Sequence, residues 1–160
     1  MQKTKKPANR PTSQPSTKTT HQLKNSQLQA LINAVNTMMA EKLKLSTKTG
    51  WAILNLAQSV EDAFKPAAKM LETLQKDAQA TVTSLLEPYE NKEEEMKTND
   101  ELKGKIEELN ADFIRKSTEV YDLVVDVDFD PISKDVFVDE RNNPISLGLD
   151  VQHAFRPFIV

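Results

Sequence analysis

The chain has no cysteine, which excludes disulfides, thiolate nucleophiles and cysteine-ligated zinc. A cysteine-free composition fits a reducing compartment. Glycine is nearly as scarce. Gly50, Gly104 and Gly148 are the only three, too far apart to build a phosphate-cradling loop. None of the G-x-x-x-x-G-K-[ST], G-x-G-x-x-G or G-x-S-x-G patterns occurs. His21 and His153 are the only histidines, and neither has a helical His, Asp or Glu partner at metal spacing. Aromatic residues make up 6% of the chain, too few to interleave a basic patch with base-stacking rings. No run of about 18 apolar residues exists, so no membrane partner is expected. The first residues lack the apolar centre of a secretory signal. Catalytic, metal and cofactor sites are all expected to be absent.

What is present is an uneven distribution of charge. The net charge over 160 residues is −3, but Met1 to Lys24 contains six basic residues and no acid. That +6 segment leaves −9 for the remainder. Eight acids against Lys134 alone lie between Glu119 and Glu140. A basic arm on an acidic body can meet nucleic acid, an acidic partner or the acidic face of a second copy.

Residues 1–22 read as that arm, disordered or extended. They are rich in Lys, Thr, Ser, Pro and Gln, with Pro7, Pro11 and Pro15 and no large apolar residue after Met1. Such a segment buries too little surface to offset its ordering entropy. It is therefore expected to be dispensable for folding. Lys3, Lys5, Lys6, Arg10 and Lys18 are its candidate partner-binding residues.

Residues 23–160 read as a single helical domain with strands at about 120–151. Leu28, Leu31, Ile32, Val35, Met38, Met39 and Leu43 form one helical stripe, behind a Ser26–Gln29 capping pair. After a break at 45–50, a second stripe runs through Ile53, Ala57, Val60, Phe64, Ala67, Leu71, Leu74, Ala78 and Leu85. Its alternating four- and three-residue steps are a heptad seam, with Trp51 placed to cap the core edge. Pro66 should kink or divide that helix. Pro88 ends it, and a Glu- and Lys-rich turn follows. Thr98 and Glu101 have capping spacing, before a third stripe of Leu102, Ile106, Leu109, Phe113 and Val120. The second and third stripes predict an antiparallel helical hairpin with the leading helix packed across it.

From Tyr121 the period changes to two. Tyr121, Leu123, Val125, Val127 and Phe129 alternate with Asp122, Val124, Asp126, Asp128 and Asp130, which predicts a strand with one buried face. Short strands are also expected at Val136–Val138 and over Ile145, Leu147, Leu149 and Val151, with Gly148 as a bulge. The apolar ending, Phe155 to Val160, should dock on the body or insert into a partner, with Phe158 as the candidate contact. The fold class is thus α+β, mainly helical.

Asp126, Asp128 and Asp130 invite a calcium reading. An EF-hand loop starting at Asp126 would need Gly and Glu where Pro131 and Phe137 stand. On a strand, alternate carboxylates are roughly 6.7 Å apart, too wide for all three to chelate one ion. The three are candidate partner-binding residues instead.

The order of features resembles a group of small proteins encoded in tailed bacteriophage genomes, whose function is unassigned. The likeness rests on Leu23-Lys24-Asn25-Ser26-Gln27-Leu28, on Lys42-Leu43-Lys44-Leu45 before a long helix, on the helix ending near Phe113, and on the strand between Glu119 and Phe129. It covers residues 23–130, and the basic arm departs from it. The resemblance implies a phage origin, location in a virion or the host cytoplasm, and a role in assembly or host takeover. The expected function is a non-enzymatic structural protein of the virion. It would bind protein subunits of an assembly, including copies of itself, and could touch nucleic acid through the arm. The alternative is an inhibitor whose aspartate strand imitates a phosphate row toward a host nucleic-acid-binding protein.

Overall fold

The computed structural model describes residues 19–160. The element order is β1 (Thr19–Lys24), α1 (Asn25–Ala40), α2 (Thr47–Leu86), α3 (Glu93–Thr98), α4 (Asp100–Asp122), β2 (Val124–Phe129) and α5 (Leu149–Phe155). Short 3₁₀ turns lie at Glu87–Tyr89, Lys134–Val136 and Arg156–Phe158. The architecture is mainly helical, with one two-stranded sheet. Among the described residues no helix is long and apolar enough to cross a membrane.

The sheet corrects two expectations. β2 has the predicted register, with Val127 and Phe129 buried and Asp126 and Asp128 exposed. Its partner is not a C-terminal strand but β1, antiparallel, with Thr19 opposite Phe129 and Lys24 opposite Val124. Residues 19–22, read from sequence as part of the arm, are therefore strand. The 1–22 boundary moves to residue 18, and the rest of the arm lies outside the described residues. β1 buries only Leu23 outright, so it is held chiefly by backbone pairing to a strand already anchored in the core. The predicted C-terminal strands are replaced by a 3₁₀ turn, two isolated bridges and α5. Val151 and Phe155 are four residues apart and both buried, a helical spacing that overrides the two-residue alternation before it.

Helix starts use neighbours of the predicted caps. The Lys24 backbone N–H donates to Gln27 Oε1 at 2.8 Å, so Gln27 rather than Gln29 closes the first turn of α1. Asn99 Oδ1 accepts from the Leu102 N–H at 2.9 Å, in place of Thr98. Ser46 Oγ accepts from the Thr49 N–H at 3.2 Å and starts α2. Tyr121 and Asp122 finish α4 instead of opening β2.

α2 is one helix of 40 residues, about 60 Å long. Pro66 lies within it without dividing it. The ring sits on the exposed side between buried Phe64 and Ala67, and their packing carries the helix through the missing hydrogen bond. Only the first part of the seam is core. Ile53, Leu56, Ala57, Val60, Phe64 and Ala67 are buried, whereas Leu71, Leu74, Ala78 and Leu85 are half-buried. Beyond Leu74 the helix leaves the core and packs on α4, and a two-helix ribbon covers most of its seam only in part. Leu74 and Ala78 face Leu109 and Phe113 across it. At its far end Leu102 is buried and Asn99 Nδ2 donates to the Tyr89 hydroxyl at 2.7 Å. Exposed pairs run along both helices. Lys76 and Lys105 hold the carboxyls of Glu72 and Glu101 below their ordinary values through side-chain hydrogen bonds. That support is present at neutral pH and is lost as the pH falls through the lowered carboxyl range.

The core proper gathers where α1, the first half of α2, the sheet and the C-terminal segment meet. Phe129, Phe155 and Phe158 are enclosed, with Phe129 and Phe158 rings 5.2 Å apart. Trp51, expected at the core edge, is 64% exposed, and Met39 also points outward. Phe158 is completely buried within its own chain. The apolar ending therefore docks internally. The Ile132 N–H donates to the Phe158 carbonyl at 2.9 Å, and the Val160 N–H to the Ile132 carbonyl at 3.1 Å.

Phe64→Ala should lower unfolding free energy by about 3–5 kcal/mol, as expected for an enclosed ring. Leu71→Ala, on the half-covered part of the seam, should cost about 1–2 kcal/mol. Urea titration followed by circular dichroism measures both, and equal losses would mean that the seam is covered alike along its length. Asn25→Ala should cost about 1–3 kcal/mol by leaving the Val120 carbonyl without its donor.

Candidate functional site

The surface that sequence singles out is the outer face of the β1–β2 ribbon. Period-two alternation brings Asp126 and Asp128 onto it, opposite Gln22 and Thr20 respectively. The Thr20 hydroxyl donates to Asp128 Oδ1 at 2.6 Å. Lys24 Nζ lies 2.9 Å from Asp122 Oδ1 at the other end, a solvent-exposed pair worth little in water. Asp130 falls just past the strand. It lines a crevice of about 600 Å³ beside α2, together with Asn55, Ser59 and Asp62. The structure thus joins Asp126 and Asp128 on one face and sets Asp130 at the mouth of a neighbouring hollow.

Lys3, Lys5, Lys6, Arg10 and Lys18 lie outside the described residues. Thr19, the first described residue, is paired with Phe129 at the Asp128–Asp130 end of β2. Phe158, placed from sequence among the partner contacts, is instead core, because its ring packs on Phe129 and its carbonyl is bonded to Ile132.

Under the ribbon, His21 stacks on Phe129 with ring centroids 4.2 Å apart, and among the described residues its Nε2 has no hydrogen-bond partner. Among the described residues no group of three His, Asp or Glu side chains is placed to hold a metal ion. His153 is exposed on α5.

Several structural residues escaped the sequence reading. Asn25 is 2% exposed; its Nδ2 donates to the Val120 carbonyl at 2.8 Å and its backbone N–H to the Leu123 carbonyl at 2.9 Å. Thr49, fully buried, donates its hydroxyl to the Val136 carbonyl and ties the start of α2 to the C-terminal segment. A polar residue at an apolar-stripe boundary is the one signal either gave. The turn at 139–143 is closed by Asp139, whose carboxylate accepts from the backbone N–H groups of Asn143 and Arg141 at 2.8 and 2.7 Å. Those bonds, Asn143's first, hold its carboxyl below the ordinary 3.8. Asn142 takes the left-handed conformation there, at φ 60, which an Asn side chain tolerates.

Comparison of the chain with known protein families, with curated proteins and with solved structures finds no match in any of the three.

Asp126→Asn, Asp128→Asn and Asp130→Asn combined should leave the melting temperature unchanged or slightly raised at low salt. Asn keeps an acceptor for Thr20, while the repulsion between aligned carboxylates is removed. Thermal melts at two salt concentrations check this, and a fall of several degrees would assign these carboxylates a structural role.

Proposed function

We propose that this chain is a non-enzymatic assembly protein, of the kind that forms part of a bacteriophage particle, binding neighbouring subunits through its hairpin seam and its basic arm. The observation that carries this reading is the half-covered seam. From Leu74 to Leu86 the ribbon runs about 18 Å past the core, with its apolar residues only half-covered. Met70 and Ile114 on the hairpin are 49% and 64% exposed. A third and fourth helix from a second copy would complete such a seam, as in helical bundles. The arm adds a salt-sensitive contact: its basic residues would find opposite charge in the exposed Asp126 and Asp128 on a neighbour's ribbon face. The same aspartates support the inhibitor reading only if an isolated nucleic-acid-binding protein captures the chain through them.

Sedimentation of the full chain across concentration tests the proposal. Self-association is expected, with Met70→Glu together with Ile114→Glu weakening it at least tenfold while helicity is kept. Removing residues 1–18 should flatten its dependence on salt. A chain that stays monomeric at millimolar concentration would sink the reading.

A further inference from the structure

The C-terminal segment carries a second surface of different chemistry. A hollow of about 700 Å³ opens between the 3₁₀ turn at Lys134–Val136 and the end of α5. Ile145, Leu147 and Ile159, each half-buried, give it an apolar wall, with Phe137 and Phe155 enclosed beneath. Lys134 and Arg156 stand at its rim, and no carboxylate side chain lines it. Among the described residues neither cation forms an ion pair. This sets the hollow apart in a chain of net charge −3 whose stalk lysines are largely paired.

The backbone segments that carry the two cations are tied together. The parallel bridge between Ile132 and Ile159 clamps the two segments together. Lys134 lies two residues after one side of the bridge, and Arg156 three residues before the other. Gln152 Nε2 donates to the Leu147 carbonyl at 2.7 Å and holds the wall against α5. A pre-formed concave site with an apolar body and a few convergent polar groups is the usual form of a small-ligand pocket, and this volume falls within the usual range. Guanidinium binds carboxylate through paired hydrogen bonds, and an ammonium adds a point charge. Both act beside apolar walls that strengthen their field.

We propose that this hollow binds a small amphipathic carboxylate: an apolar chain of medium length lying against Ile145, Leu147 and Ile159, with its carboxylate held by Arg156 and Lys134. The site is separate from the hairpin seam, and stands whether or not the chain assembles.

Titration calorimetry with decanoate below its micelle concentration, on the full chain, tests this. One-to-one binding is expected. Decanol, which keeps the chain and lacks the charge, should bind at least tenfold more weakly. Arg156→Gln and Lys134→Gln should each weaken decanoate about tenfold. Both residues are exposed, so circular dichroism should show an unchanged fold. Absence of decanoate binding at millimolar concentration, equal affinity for decanol, or indifference to both substitutions would each overturn the proposal. Tighter binding of a short acidic and apolar peptide than of decanoate would overturn it in favour of a peptide site.

Discussion

One buried amide sets the layout of the fold. Asn25 follows the last residue of β1 and is the first of α1, and it is bonded twice to the point where α4 gives way to β2. Four elements therefore meet at a single side chain and its own backbone N–H. Buried amides left without partners are costly, so the junction tolerates little displacement. With it fixed, β1 must run back along β2, and α1 must leave across the base of the hairpin.

The molecule divides by coverage rather than by sequence. At the base, α2 is packed by α1, α4, β2 and the C-terminal turn, and its seam residues are excluded from water. Farther out the same repeat of apolar residues continues with only α4 beside it. A heptad pattern specifies which face wants cover but not how many helices provide it. The stalk is therefore stable enough to hold its register, through Asn99, Tyr89 and Leu102 at the tip, yet leaves apolar surface open along its length.

The C-terminal segment after β2 works as a clasp. Thr49 and the Ser46 N–H bind the carbonyls of Val136 and Val138, while Ile132 exchanges backbone bonds with Phe158 and Val160. These bonds lie between segments nearly 30 or nearly 90 residues apart in sequence and replace the sheet that alternation alone would suggest. They also bring Lys134 and Arg156 to one hollow, a juxtaposition with no counterpart in local sequence.

Periodicity made much of this protein legible. The three helical stripes, the strand from Val125 to Phe129 and its exposed aspartates follow from side-chain geometry, because a helix repeats at 3.6 residues and a strand at two whatever surrounds them. The basic segment and the lack of cysteine are likewise facts of composition. Tertiary structure decided what depends on a distant partner. Thr19–Lys24 has too little apolar surface to predict its own strand and becomes one only because β2 offers a paired edge. Pro66 passes through α2 because packing on either side outweighs a local breaker. Phe158 turns inward because Phe129 and Ile132 are there to receive it. Local pattern fixes which face of an element is apolar; the remaining free energy, and so the choice of partner, comes from contacts between segments that the sequence holds far apart.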